Sequence, residues 1–161
     1  MKKLSQEEFD QMYSDGIKDF SNLDLSYLNF GYKSVKDFLD FGDKSFIGFN
    51  FSGSNFKESC LTYSNISFAN LSDTNFDKAN LSNSNLSNSN LSFAKLRYSN
   101  LSNCCLKHAN LRKADLTQAN LSNSDLSFAN LSGANLSLAN LSLSELLRVN
   151  MFETILYNTI F

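Results

Sequence analysis

A five-residue repeat of apolar side chains runs through most of this chain. Residues 79–96 read ANLSNSNLSNSNLSFAKL, with Leu at every fifth position. From Phe46 to Phe161 the same frame holds Leu, Phe, Ile or Met at 24 consecutive positions, which we call the central positions. The residue two places earlier is small at nearly every step, commonly Ala or Ser. Neither a helix nor a strand has a period of five, so each unit must combine an extended piece with a turn.

Side-chain alternation explains why two positions of each unit are restricted. Residues two apart in an extended segment point the same way, so the small residue and the central residue can both face inward. Four such sides, each followed by a corner, close a square coil made of four units. Coils would stack at about 4.8 Å, the spacing of hydrogen-bonded strands, in about six layers. Leu81 and Leu101 would then lie one above the other in an interior filled by side chains.

The units resemble the pentapeptide-repeat family, whose motif is A-(D/N)-L-x-x. ANLSN, ADLTQ, SDLSF and ANLSG match this motif directly, and the repeat covers about 115 of the 161 residues. The resemblance implies an all-β fold, a right-handed quadrilateral β-helix, over residues 46–161. A disordered Ser/Asn-rich segment is the alternative interpretation, but disorder does not require an apolar residue at every fifth position.

The first residues carry the signals of a capping helix, expected within residues 1–17. Ser5 is a predicted N-cap with Glu8 three residues later, a capping box, while Leu4 and Phe9 are placed as a hydrophobic staple. Phe9, Met12 and Tyr13 share one helix face, and Gly16 can end the helix. A stacked solenoid exposes its core at its ends, so we expect this face to cover the first coil.

Residues 18–45 are expected to form a first, irregular coil. Units centred on Phe20, Leu25 and Phe30 run one residue out of frame with the rest. The shift falls within GYKSVKDFLDFGD, where Ser34 is a candidate N-cap for a short helix. Residues 31–43 are interpreted as a structural insertion, either a short helix or a bulged corner, with a binding loop as the alternative.

Charge and cysteine content restrict the partners and the compartment. Residues 46–161 hold eight Lys or Arg and seven acidic residues, a net charge of +1, whereas residues 1–45 carry −3. Such a balance predicts no direct binding of nucleic acid. No apolar run is long enough to span a membrane, and MKKLSQEEFD lacks the apolar core of a signal peptide. Three cysteines without metal-ligand spacing suit a reducing cytoplasm.

Residues that could carry chemistry are few. His108 is the only histidine, and it is predicted to be a solvated outward side chain. Cys60 and Cys105 should lie on different sides, and Cys104 fills a small inward position. Asp125 and Glu145 should stack one coil apart, as an ordinary exposed pair rather than a cation site. We therefore predict no catalytic residues, no metal and no cofactor, and a protein that is not an enzyme.

Outward positions become apolar after residue 137, and the chain stops on a central position. An unpaired sheet edge with outward apolar side chains is an association surface. The prediction is a two-fold homodimer through the last one or two coils; the alternative is that these side chains fold over the terminal coil. The predicted interface residues are Leu138, Leu143, Leu147, Phe152, Ile155, Tyr157, Ile160 and Phe161.

Four aromatic residues fall on outward corners, where they could anchor a protein partner. Alternatively, they pack along the surface of their own coils. Phe68 and Phe128 share one side three coils apart, and the other two lie on neighbouring corners. The predicted partner-binding residues are Phe68, Phe93, Tyr98 and Phe128.

The leading functional hypothesis is a non-enzymatic rigid scaffold that binds a protein partner. The family resemblance implies a second one, because some members mimic DNA, bind DNA gyrase and protect it from quinolone drugs. Mimicry needs a surface dense in negative charge, which the net +1 of the repeats does not provide. A third hypothesis is a structural or surface-hydrating solenoid, although Ser recurs on every side rather than in an array on one face.

Overall fold

The computed structural model describes residues 1–26, residue 28 and residues 49–161. Across the repeats, the residue just before each central position forms a parallel bridge with its equivalent four units later, as in Asn80 with Asn100 and Asn100 with Asn120. Two hydrogen bonds flank each bridge: Leu81 N donates to Asn100 O at 2.8 Å, and Asn100 N donates to Ala79 O at 2.9 Å. The predicted stacking of every fourth unit is confirmed. We call each step of four units a coil.

Every unit turns the chain in the same way. Leu81 O accepts a hydrogen bond from Ser84 N at 3.1 Å, which closes a four-residue turn. The third residue of that turn, Asn83, has φ of 62°, the left-handed value expected in a type II turn. The turn recurs in every unit centred from Phe51 to Leu156, so each coil of this region carries four corners.

Asparagine just before the central position holds the start of the turn. Oδ1 of Asn80 accepts the amide hydrogen of Ser82 at 3.2 Å, an Asx turn. Along one side the same amides also bond from coil to coil: Asn90 Nδ2 donates to Asn70 Oδ1 at 3.3 Å, and Asn110 Nδ2 donates to Asn90 Oδ1 at 3.0 Å. Side-chain amides therefore link neighbouring coils in addition to the backbone hydrogen bonds.

The core follows the predicted inward positions. Every central residue from Phe51 to Leu141 is at most 1% exposed, and the small residues two places before them, such as Ala79 and Cys104, are buried as well. Burial fails only in the last coil, where Leu146 is half-buried and Leu156 is 41% exposed. Burial of these side chains is the main favourable contribution to folding.

The described residues before the repeats form strand β1 (Lys2–Lys3), helix α1 (Gln6–Ser14) and strand β2 (Leu23–Asp24). β1 pairs in parallel with β2. The predicted capping box is present, because Ser5 Oγ accepts from Glu8 N and Glu8 Oε2 accepts from Ser5 N. Gly16, with φ of 75°, ends α1 in a Schellman motif, in which Ile17 N donates to Met12 O.

Helix α1 covers the core at this end, as predicted. Phe9 is fully buried, with its ring 5.3 Å from that of Phe20 and 5.8 Å from that of Phe51. Leu4 is also buried, and Met12 and Tyr13 pack against the core.

The out-of-frame units stack on the repeats through a longer sequence separation than one regular coil. Asp19 bridges Asn55, and this interval is not a multiple of five, which accounts for the shift of frame. The ring of Phe20 lies 5.0 Å from that of Phe56, which in turn lies 4.9 Å from that of Phe76. Predictions for Phe30, Ser34, Phe46 and residues 31–43 fall outside the described residues. Among the described residues, no helix has the length and hydropathy needed to cross a membrane.

Candidate functional site

The corner position two residues after each central residue sets which side chains face outward. From residue 53 to residue 158, every such position has a positive φ, between 51° and 70°. Only Gly53 and Gly133 among them are glycines, so the turn places ordinary side chains in the left-handed region. All four predicted partner-binding aromatics, Phe68, Phe93, Tyr98 and Phe128, occupy this position and are between 40% and 58% exposed.

The corner that carries Phe128 holds a short stack of side chains. The rings of His108 and Phe128 lie 4.9 Å apart and are nearly parallel, at 11°. The guanidinium carbon of Arg148 lies 5.9 Å from the Phe128 centroid on the following coil. His108 is exposed, as predicted. Its stacking on Phe128 was not predicted. Phe128 thus packs partly against side chains of the adjacent coils. Phe68 lies on the same corner, three coils away.

Phe93 lies on a different corner, in contact with two cations. The Arg112 guanidinium carbon is 5.6 Å from the Phe93 centroid and Lys113 Nζ is 5.7 Å from it, both within the range of a cation–π interaction. Tyr98, on the next corner, is 58% exposed. The four predicted aromatics therefore occupy three corners and do not form one continuous site. Because Arg112 is distant from Phe93 in sequence, only the stacking of successive coils reveals this contact.

The C-terminal coils form an apolar surface. All eight predicted interface residues are exposed, from Leu138 at 43% to Leu143 at 82%. Leu156 is also exposed, which was not predicted because it holds an inward central position; among the described residues no coil lies over it. Within the described residues, the amides of Leu146, Met151 and Leu156 donate no backbone hydrogen bond, whereas the equivalent amides of earlier coils do. The surface therefore combines apolar side chains with an open sheet edge.

Several charged side chains on the repeats form ion pairs between coils. Lys107 Nζ lies 2.8 Å from Asp125 Oδ2, and Lys78 lies 3.6 Å from Glu58. Burial alone would raise the pKa of Asp125, but hydrogen bonds from Lys107 and Ser127 outweigh it and hold that pKa below its usual value. Asp125 does bridge Glu145 as predicted.

The cysteines are all free. Burial raises the pKa of the Cys104 thiol to about 12, so this inward side chain is unreactive. Cys60 and Cys105 are half-buried. Among residues 1–26, 28 and 49–161, no group of three or more His, Cys, Asp or Glu side chains could hold a metal ion.

Comparisons with known proteins agree with the repeat. The family described as "Pentapeptide repeats" matches in eight copies, over residues 45–77, 64–103, 74–112 and 104–142. A search of curated proteins found no match.

Several solved structures are similar to this chain. A pentapeptide repeat protein, Rfr23, from the cyanobacterium Cyanothece 51142 is 28% identical, covers 95% of this chain and 96% of its own, and has a TM-score of 0.51. HetL, a pentapeptide repeat protein involved in heterocyst differentiation regulation from Nostoc sp. strain PCC 7120, is 17% identical. The match covers 96% of this chain and 93% of HetL, with a TM-score of 0.44. QnrB1, a plasmid-mediated fluoroquinolone resistance protein, is 17% identical. The match covers 97% of this chain and 80% of the QnrB1 chain, with a TM-score of 0.45.

Proposed function

The chain belongs to the pentapeptide-repeat family, and from this membership we propose that it is a non-enzymatic rigid scaffold for protein–protein interaction. One observation carries the proposal: the inward positions are filled by buried side chains, while large aromatic and apolar side chains project from the corners and the C-terminal coils. Exposed aromatics of this kind are frequent anchors of protein interfaces.

The proposed scaffold is a right-handed quadrilateral β-helix over residues 46–161. The proposal assigns residues 1–17 to its capping helix and residues 18–45 to an irregular first coil. Bridges between every fourth unit, with one turn in each unit, support four sides to each coil. The three free cysteines support a cytoplasmic location.

The scaffold is proposed to be a homodimer joined through its C-terminal coils. An edge with unpaired amides and exposed apolar side chains gains free energy by being covered, and a second copy offers the same surface. The interface would include Leu143, Leu147, Phe152 and Tyr157, all more than 60% exposed.

Light scattering at micromolar concentration tests the dimer. The wild-type chain should give twice the monomer mass of 18.1 kDa, and Phe152→Asp should give the monomer mass. Ser132→Asp, which adds the same charge on the same corner one coil earlier, is the matched control and should stay dimeric. A wild-type monomer, or a dimeric Phe152→Asp, would refute the proposed interface.

The corner aromatics are proposed to bind the protein partner. A pull-down from the source cell should recover less partner with Phe68→Ser/Phe128→Ser than with the wild-type chain. Asn88→Ser, on the same corner between them, is the control and should behave like wild type. Equal recovery by all three proteins would remove Phe68 and Phe128 from the binding surface.

Gyrase binding through DNA mimicry is a less favoured proposal. It draws on the family resemblance, but the net charge of +1 over residues 46–161 opposes it. A supercoiling assay should show neither inhibition of gyrase nor protection from a quinolone at about tens of micromolar protein, a concentration at which even weak complexes form. Inhibition or protection would favour this role over a general scaffold.

A further inference from the structure

Two adjacent cations and an exposed ring form a compact cluster in the middle of the repeats. Arg112 and Lys113 lie on the coil after Phe93, with their charged ends 5.6 Å and 5.7 Å from its ring centroid. All three side chains are exposed, and Phe93 keeps 44% of its surface accessible. We call Phe93, Arg112 and Lys113 the Phe93 cluster.

Neither cation of this cluster is paired with a carboxylate among the described residues. Lys57, Lys78, Arg97 and Lys107 each lie within 4.0 Å of a carboxylate. In the part of the chain that the structure describes, Arg112 and Lys113 form no such pair. Two neighbouring positive charges thus face solvent, with no carboxylate of the described residues within 4.0 Å of either.

The surrounding corner leaves room for both cations and restricts their motion. Ser92 and Ser132 stand on the coils before and after Arg112, so no large side chain covers it. A Cβ placed on Gly133 would lie 3.2 Å from Lys113 Cγ, so this glycine provides the space along which the lysine stem lies. Contact with the ring and the coil surface orders the two side chains beforehand, which lowers the entropic cost of binding a ligand.

We propose that the Phe93 cluster docks an acidic peptide segment of a protein partner. Carboxylates of that segment would accept hydrogen bonds from Arg112 and Lys113, and an apolar neighbour would pack on the exposed edge of Phe93. This inference rests on the proposed scaffold function and gives its partner a chemistry.

A peptide fits the cluster better than a nucleic acid does. Asp73 and Glu153 stand on the same corner as Phe93 and Lys113, on either side of the two cations. A phosphate backbone running along the rod would meet these carboxylates, whereas a short acidic peptide can bind between them. Two free cations also provide few of the phosphate contacts that support nucleic-acid binding.

Fluorescence anisotropy tests this directly. The probe is a short fluorescein-labelled peptide in which Glu alternates with Leu and Gly, compared with its Gln counterpart and with a labelled single-stranded oligonucleotide of equal length. The Glu peptide should bind the wild-type chain, more weakly as salt is raised, and the other two probes should not.

Matched variants locate the site. Arg112→Ser/Lys113→Asn introduces the residues common at these two turn positions and should weaken binding about tenfold or more. Lys57→Ser/Lys78→Asn removes the same charge at equivalent positions elsewhere and should change it less than about twofold. Circular dichroism should show the same fold for both variants.

Three results would overturn the inference: no binding of the Glu peptide up to about 1 mM, equal losses in the two double variants, or preference for the oligonucleotide. The scaffold proposal has separate tests. If Phe68→Ser/Phe128→Ser loses partner and Phe152→Asp loses the dimer while the Glu peptide fails to bind, the scaffold stands and the Phe93 cluster is not its acidic-peptide site.

Discussion

The backbone amide of Arg97 donates a hydrogen bond to Oδ1 of Asp77, one coil earlier, at 3.1 Å. At most turns this amide bonds to the Asn two residues before it, but here that residue is Lys95, whose side chain has no acceptor. Asp77 also binds the Arg97 guanidinium through Nε and Nη2. One nearly buried carboxylate therefore replaces the missing Asx turn and neutralises the cation.

Removing this carboxylate should destabilise the middle coils. We expect Asp77→Ala to lower the free energy of unfolding by about 1 to 2 kcal/mol, because the amide hydrogen of residue 97 loses its acceptor. Asp77→Asn keeps an acceptor and should cost less. Guanidinium denaturation followed by circular dichroism measures both, with Ser87→Ala as a control at a turn whose Asn85 is intact. Equal effects of Asp77→Ala and Ser87→Ala would contradict this role.

The narrow interior should reject a second large side chain at an inward position. Ala119 is 1% exposed, between Ser99 and Ala139 on the adjacent coils. Ala119→Leu should therefore lower the free energy of unfolding by about 1 to 3 kcal/mol through overpacking. Ser122→Leu adds the same side chain outside and should change it by less than about 0.5 kcal/mol. Chemical denaturation measures the free energy of unfolding of both variants, and tolerance of leucine at both positions would contradict a filled core.

The left-handed corners should favour asparagine over a β-branched residue. Gln118 has φ of 58° and an exposed side chain. Gln118→Asn should raise the free energy of unfolding by a few tenths of a kcal/mol, whereas Gln118→Val should lower it by about 1 kcal/mol. Denaturation midpoints give the difference. The same pair of substitutions at Ser122, outside the left-handed region, should differ little; a similar gap at both sites would exclude backbone strain as the cause.

Acid should weaken the fold partly through Asp125. Its pKa is lower in the folded than in the unfolded chain, because the hydrogen bonds from Lys107 and Ser127 outweigh its burial. Its stabilising effect is therefore present above about pH 4 and is lost as the pH falls through the folded pKa. Asp125→Asn should reduce the loss of stability between neutral pH and about pH 3, and Lys107→Met should reduce it as well. Denaturation midpoints across this range measure the effect, and unchanged profiles in both variants would contradict it.

Much of the fold was predictable because a strict period fixes the position of each residue. The frame from Phe51 to Leu141 identified the buried positions, and the Ser5–Glu8 pair and Gly16 identified the bounds of α1. The pairing of β1 with β2 was not predicted, since Lys2–Lys3 lacks the apolar alternation of a strand.

The candidate sites were predicted less completely. Exposure of Phe93 and Phe128 follows from their corner positions, but their partners do not. The stacking of His108 on Phe128, and of two cations around Phe93, depends on side-chain conformations between coils. The repeat predicts which residues occupy equivalent positions on adjacent coils. It does not predict which of their side chains are in contact, because that depends on side-chain packing.

The asparagine ladder yields a final prediction that separates its two kinds of hydrogen bond. Asn90 Oδ1 accepts the Ser92 amide at 3.2 Å, and its Nδ2 donates to Asn70. Asn90→Asp keeps the acceptor but replaces the donor, so two oxygens would face each other across the coils. Asn130 Oδ1 accepts the Ser132 amide hydrogen at 3.0 Å, but within the described residues the side-chain amide of Asn130 forms no hydrogen bond to an adjacent coil.

We therefore expect Asn90→Asp to lower the free energy of unfolding at neutral pH by about 1 kcal/mol or more, and Asn130→Asp to have a much smaller effect. Aspartate itself is tolerated in this position, since Asp115 and Asp125 occupy it and hold the amides of Thr117 and Ser127. Because a protonated carboxyl can donate again, the deficit of Asn90→Asp should shrink in acid, relative to Asn130→Asp. Denaturation midpoints at neutral and acidic pH test both statements. Equal losses in the two variants would mean that the turn bond alone, and not the ladder, accounts for the asparagines.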